Sequence, residues 1–302
     1  MSQFENGGKF GVGNVSDRIV RCVAITILTV TLCAQTARAP ADELVKFDSA
    51  TYRMGQIQQR QARERGETPA NVPDATVEGY LSKPDGSGPF PAVVYLHGCS
   101  GLSPNARNRM AALITGWGYV SLVADSFTTR GIKESCDHLM LMPSRQADAL
   151  GALLYLSKLG FVDPKRVAVV GSSQGGIVAL QLASTHPVDL LAIPDDLKFK
   201  AAVAYYPLCS VATDQLTIPS LILIGELDDW TPAKDCQRWM ERRAGKGAPV
   251  RLVIYPGAYH AFEFPNPGDG KQSFGHWVKY DADAADRSIL EARDFLANHL
   301  TK

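Results

Sequence analysis

The stretch VAVVGSSQGGIVAL, residues 167–180, constrains the fold more than any other part of the chain. Its first half is a run of small and β-branched apolar residues, which suits a strand buried on both faces. Its second half, GGIVALQLAS, resumes as the start of a helix. Between them, Gly171-Ser172-Ser173-Gln174-Gly175 fits G-x-S-x-G. In that pattern the chain passes from strand to helix so tightly that the central serine takes a strained backbone and projects its hydroxyl. Glycine on each side removes side chains that would collide with the neighbouring strand and helix. Ser173 is therefore expected above the carboxyl edge of a sheet, facing helix N–H groups that favour developing negative charge. A plain glycine-rich turn is the alternative for the pentapeptide alone. A phosphate-binding loop is excluded, because neither G-K-[ST] nor G-x-G-x-x-G occurs at this point.

Around this turn, apolar runs alternate with longer helical patterns. Strands are predicted at 75–82, 91–97, 118–125, 166–172, 200–207, 219–225 and 250–256, and helices at 105–116, 144–159, 174–185, 232–244 and 281–299. The alternation predicts one α/β domain, residues 75–302, with a mostly parallel, doubly wound sheet of about seven or eight strands flanked by helices. Residues 42–74, with QIQQRQARERGETP, read as a polar leader packed on or beside it.

A serine hydroxyl is a weak nucleophile without a base, and on such a sheet the partners follow in the order Ser, acid, His, each in a loop after a later strand. Asp228 in LILIGELDDWTP and His260 in RLVIYPGAYHAFE occupy those loops. Ser173 is expected to attack, His260 to carry its proton, and Asp228 to orient the imidazole. Asp229 competes for the acid role, and His276 and His299 for the base role; His97, His138 and His186 precede the acid and read as structural or surface residues. The backbone N–H groups of Gln174, in the elbow, and Cys99, after the strand at 91–97, are the expected oxyanion donors. The long connection 127–143 suggests one pocket wall, with Phe127, Met140 and Met142 as lining and Arg130 as a possible carboxylate partner. Tyr206 and Trp230, just past strand ends, are further substrate-contact candidates. No H-E-x-x-H or paired-cysteine pattern points to a metal, and no cofactor is expected.

The amino terminus reads separately. Arg18 and Arg21 precede the apolar CVAITILTVTLC, and AQTARAPADE follows, the order of a secretory signal peptide over residues 1–41 with cleavage after Ala41. The apolar part is shorter than the about 20 residues that span a bilayer, so no stable membrane insertion is expected after cleavage. The expected destination is secreted or periplasmic. Lys plus Arg and Asp plus Glu both number 31, which gives no basic face for nucleic acid. Cys99, Cys136, Cys209 and Cys236 remain after the leader, an even number. Cys209 and Cys236 each follow a predicted strand of the carboxyl half, which favours their pairing and leaves Cys99 for Cys136. Four free thiols are the alternative.

LHGCSGL, GSSQGG, LILIGELDDWTP, YPGAYHAF and HWVKYDADAADRS together resemble the dienelactone hydrolase family of the α/β-hydrolase superfamily, over roughly residues 75–300. The resemblance implies an α/β-hydrolase fold, a Ser173-Asp228-His260 triad, and Cys99 and Gln174 in the oxyanion hole. Family members that cleave dienelactone carry cysteine at the centre of the elbow, whereas this chain has Ser173. That departure moves the expected activity to hydrolysis of a small carboxylic ester or lactone through an acyl-enzyme. Acyl transfer, peptide hydrolysis and a latent exported binding protein are the alternatives.

Overall fold

The computed structural model describes residues 42–53, 55–68, 75–138, 144–184, 191–265 and 268–300. The expected signal peptide, Met140, Met142 and His186 lie outside the described residues. Eight strands form one sheet: β1 (Glu43–Asp48), β2 (Thr76–Ser82), β3 (Phe90–Leu96), β4 (Val120–Asp125), β5 (Val162–Ser172), β6 (Ala202–Tyr205), β7 (Ser220–Gly225) and β8 (Val250–Tyr255). Their order is β1-β2-β4-β3-β5-β6-β7-β8. β2 pairs antiparallel with β1 and β4, and the other pairs are parallel. The inner strands β4 and β7 are buried along their whole length, as the unbroken apolar runs require.

Among the described residues six helices flank the sheet or lead into it: α1 (Gln56–Glu64), α2 (Pro104–Gly116), α3 (Ser144–Leu156), α4 (Gln174–Leu182), α5 (Ala233–Arg243) and α6 (Ala282–Leu300). α2 starts where the sequence says it should: Ser103 accepts a hydrogen bond from the Ala106 N–H at 3.2 Å, and Pro104 fills the first turn. The whole assembly is an α/β-hydrolase fold.

Two regions depart from the sequence reading. The polar leader is partly sheet, because ELVKFD alternates charged and apolar residues and buries Val45 and Phe47 while its charges face water on an edge strand. A small hairpin, β9 (Lys271–Ser273) with β10 (His276–Val278), turns through Phe274 and Gly275 at φ 51° and 84°. It lies against the loop after β8: His260 bridges to Val278, and the Lys279 N–H donates to the His260 carbonyl at 3.3 Å.

Register sets the site. Ser172 pairs with Tyr205, Tyr205 with Leu223, and Gly225 with Tyr255, so the carboxyl ends of β5, β6, β7 and β8 stand side by side. Loops leaving those ends open on one edge.

Candidate active site

Ser173 sits between β5 and α4 at φ 55°, ψ −118°, a conformation that costs a non-glycine residue on the order of 1–3 kcal/mol. The surroundings hold it there. The Ser173 N–H donates to the Tyr205 carbonyl at 2.9 Å, and its carbonyl accepts from Ile177 at 3.0 Å. A Cβ on Gly171 would overlap the Gly175 carbonyl, and one on Gly175 would overlap the Leu96 carbonyl at the end of β3. Strand, turn and the first turn of α4 are thus packed backbone to backbone, and only glycine fits.

His260 Nε2 lies 3.1 Å from Ser173 Oγ, and His260 Nδ1 lies 2.8 Å from Asp228 Oδ2. All three side chains are buried. With the imidazole neutral, Nδ1–H donates to Asp228 and Nε2 is left to accept the serine proton. Asp228 is fixed in turn by the N–H groups of Trp230 and Thr231, which donate to Oδ1 at 3.0 and 2.9 Å. Thr231 Oγ1 lies 3.0 Å from both Asp228 Oδ2 and the Tyr206 carbonyl. The competing residues meet elsewhere. Asp229 Oδ1 is 3.7 Å from His276 Nδ1 and accepts from the Trp277 N–H, on the outer side of the loop, while His299 Nδ1 faces the Phe295 carbonyl on α6.

Cys99 lies in the loop after β3, and Gln174 is the first residue of α4. Arg145 on α3, which the sequence reading passes over, ties these two loops together. It donates to the His97 carbonyl and to Gln174 Oε1, each at 2.6 Å. Burial lowers Arg145 to about 10, so it is charged at neutral pH. Burial, and then the Arg145 charge, push His97 down to about 3, so this ring is neutral behind the loop. Cys99 is bonded to Cys136, and its carbonyl accepts from the Ser135 N–H at 2.9 Å. Cys209 is bonded to Cys236.

The serine and histidine open on a cavity of about 640 Å³, lined among others by Tyr206, Trp230, Arg109 and Lys271. The Tyr206 and Trp230 rings lie 4.4 and 5.0 Å from the His260 ring, and Trp230 stacks on His276 at 4.9 Å. Phe127 and Arg130 are not brought to this cavity. Phe127 is buried with its ring edge-on to His97 at 4.6 Å and the Arg145 guanidinium 5.2 Å above it, so it packs beneath the loop. Arg130 grips both oxygens of buried Asp148 at 2.9 and 2.8 Å, which corrects its reading as a substrate-facing cation. A depression of about 680 Å³ along α5 is larger, but Lys234, Gln237, Arg238 and Glu241 line it without a nucleophile and base in contact.

The sequence reading also misses Glu263. Its buried carboxyl accepts from Tyr206 Oη at 2.6 Å and from Ser172 Oγ at 3.0 Å, and Tyr95 Oη donates to Ser172 Oγ at 3.1 Å. A single acidic residue gives little sign of burial; only its place between Phe262 and Phe264, three residues after His260, points to the site. Among the described residues no group of three or more His, Cys, Asp or Glu could hold a metal ion. No helix among them is long and apolar enough to cross a membrane.

Such a row of hydroxyl, imidazole and carboxylate is suited to acyl chemistry, and comparison with known proteins points the same way. The chain is 24% identical over 224 residues to a putative carboxymethylenebutenolidase of Methylorubrum extorquens, covering 65% of this chain and 72% of that one. It is 26% identical over 200 residues to a probable 2-oxo-3-(5-oxofuran-2-ylidene)propanoate lactonase of a Bradyrhizobium species, covering 61% and 77%. An acylamino-acid-releasing enzyme of Arabidopsis thaliana is 29% identical over 146 residues, which is 46% of this chain and only 17% of that enzyme. Among solved structures, the dienelactone hydrolase-like promiscuous phosphotriesterase P91, from metagenomic libraries, superposes with a TM-score of 0.61 at 20% identity, covering 86% of this chain and 99% of that one. The dienelactone hydrolase family model matches residues 77–300, nearly the whole of the sheet and its helices. The chain therefore belongs to the dienelactone hydrolase family.

Proposed function

We propose that this protein is an exported serine hydrolase that cleaves a small carboxylic ester or lactone through an acyl-enzyme on Ser173. The observation that carries the reading is the buried row of Ser173 Oγ, His260 and Asp228, at 3.1 and 2.8 Å, opening on a cavity of about 640 Å³. His260 Nε2 takes the hydroxyl proton as Ser173 Oγ attacks the carbonyl carbon. The charge that develops on the carbonyl oxygen is met by the N–H groups of Cys99 and Gln174. Collapse of the tetrahedral species breaks the C–O bond, and His260 returns the proton to the departing alkoxide. Water then attacks the acyl-enzyme with His260 again as base, and Asp228 stabilises the imidazolium in both halves.

Arg109 and Lys271 line the cavity, and no Asp or Glu among the described residues does. Arg109 Nε is buried without a hydrogen-bond partner among the described residues. This favours a substrate carrying an anionic group over a neutral one. The relatives named as a carboxymethylenebutenolidase and a lactonase support the same class. The leader over residues 1–41 and the two disulfides support export. Amide hydrolysis is the second reading, favoured by the likeness to the acylamino-acid-releasing enzyme.

The test is initial-rate hydrolysis of matched substrates: p-nitrophenyl acetate, a p-nitrophenyl ester with a free carboxylate on its acyl chain, a carboxylated butenolide lactone and an N-acyl amino-acid anilide. Hydrolysis of the anionic ester or lactone, abolished in Ser173→Ala, is the expected result. Cleavage of the anilide ahead of every ester would move the function to amide hydrolysis, and equal rates in wild type and Ser173→Ala would overturn the mechanism.

A further inference from the structure

Beneath the Ser173-His260 pair runs a second, buried line of hydrogen bonds. Glu263 Oε1 accepts from both Ser172 Oγ, on the residue before the nucleophile, and Tyr206 Oη. The Tyr206 ring packs on the His260 ring with centroids 4.4 Å apart, and Tyr206 itself is held at φ 37°, in the left-handed region. The Tyr206 carbonyl lies 3.0 Å from Thr231 Oγ1, which lies 3.0 Å from Asp228 Oδ2. The hydroxyl has one proton, so it serves one of those two acceptors at a time. From Ser172 through Glu263 and Tyr206 to Thr231, the line therefore touches the neighbourhood of all three residues of the proposed triad.

Nothing in the packing of the core requires a carboxyl group here. Glu263 is 3% exposed, and its Oε2 is buried without a hydrogen-bond partner among the described residues. A buried acid of this kind is costly, and an apolar residue of similar volume would serve packing better. The 2.6 Å separation from Tyr206 Oη falls in the short range of hydrogen bonds to an ionised oxygen.

We propose that Glu263, as a carboxylate, is a positioning residue for the reaction: it fastens the elbow, through Ser172, to the loop that carries His260, and fastens Tyr206 against the imidazole. The proposal rests on Ser173 being the nucleophile. The titratable groups around Glu263 are Tyr206 and Tyr205 at the end of β6, Tyr95 on β3 and His260 on its own loop. Arg145 on α3 is the cation that acts on this cluster, through Tyr95. Burial holds the Glu263 proton up to about 7, so the carboxylate forms as the pH rises through neutrality. The low-pH limb of the reaction should then include the Glu263 ionisation and be steeper than in a variant that lacks it.

The experiment follows the rate of phosphonylation by a small fluorophosphonate between pH 5 and 9, located by peptide mapping, in wild type, Glu263→Gln, Tyr206→Phe, the double variant of these two and Ser173→Ala. Thermal melts are recorded at each pH. Glu263→Gln keeps the size and one acceptor oxygen but carries no charge. The expected result is a folded variant whose Ser173 is labelled about 10–100-fold more slowly at pH 8, and whose low-pH limb is less steep than that of wild type. Tyr206→Phe, which removes one donor to Oε1 and keeps the ring, should slow labelling in the same direction, and the double variant should be no slower than Glu263→Gln alone. Wild-type labelling rate and pH profile in Glu263→Gln would overturn the role of Glu263 while leaving Ser173 as nucleophile. If Glu263→Gln fails to fold, Tyr206→Phe decides, and wild-type behaviour there overturns the proposal. An adduct mapping away from Ser173 in wild type would overturn the nucleophile assignment, and this proposal with it.

Discussion

Ser173, Asp228 and His260 each owe their place to a local device: a glycine-flanked elbow, an aspartate capped by two N–H groups, and a histidine braced by a hairpin. Removing the chemistry while keeping the device separates the two. Ser173→Ala and His260→Ala should each lower ester turnover at least about a thousandfold with unchanged melting curves. Asp228→Asn should be comparably severe, because the amide cannot accept from Nδ1–H as the carboxylate does, whereas Asp229→Asn should be within a fewfold of wild type. Kinetics on the purified variants test the ranking, and a mild Asp228→Asn beside a severe Asp229→Asn would reassign the acid. Glu263 carries a stability consequence of its own. Its folded-state value of about 7 lies above the ordinary 4.5, so between those values the folded protein holds a proton that the unfolded chain has lost. Stability from this group is therefore full below pH 4.5 and declines as pH rises through 7, by an amount on the order of 3 kcal/mol. Melting temperatures of Glu263→Gln relative to wild type should accordingly rise from pH 5 to pH 8; a constant difference would mean that Glu263 does not titrate in this window.

At the scale of elements, what the sequence makes legible is what repeats along the chain. Unbroken apolar runs mark inner strands because both faces of a parallel sheet are covered, and the elbow is legible because only glycine tolerates backbone contact between β5, α4 and β3. Elements whose pattern is polar are not legible: β1 shows every second residue to water, and the β9–β10 hairpin is a turn with three residues on each side. Arg145 and Glu263 escape for a different reason, since nothing local distinguishes a buried charged residue from a solvated one. Their partners, the His97 carbonyl, Gln174, Ser172 and Tyr206, come from distant parts of the chain. Arg130 misleads for the same reason, its partner Asp148 lying across on α3. The two disulfides sort by element. They span 37 and 27 residues of chain, so each should contribute a similar stabilisation of about 3–4 kcal/mol in the loop-entropy model. Only Cys99–Cys136 holds the loop whose N–H is proposed as an oxyanion donor. Replacing that pair by serines should lower kcat about tenfold with KM little changed, whereas the Cys209/Cys236 pair of serines should lower stability and leave kcat near wild type. Equal effects on kcat would show that Cys99–Cys136 acts on stability alone.

For the molecule as a whole, the catalytic unit extends further toward the amino terminus than the recognisable family segment. β1 pairs with β2 over six residues and buries Val45 and Phe47, although the family match begins at residue 77. A chain beginning at Asp42 should therefore melt several degrees above one beginning at Ala50, which lacks the edge strand. Identical melts would place β1 outside the cooperative unit. The fold also explains how a site can be assembled from so few signals. Because parallel strands share one carboxyl edge, three loops separated by tens of residues are delivered to one place, and order along the chain is enough to match them. What the order of loops does not supply is substrate choice, which we assign to side chains that line the cavity, such as Arg109, Lys271, Tyr206 and Trp230. The most direct test of the central claim, that Ser173 is an activated nucleophile, is the intact mass and peptide map of the protein after exposure to a small fluorophosphonate. A single adduct on Ser173, absent from Ser173→Ala, is the predicted result. A folded protein that takes up no adduct, or takes it up on another residue, would contradict the account.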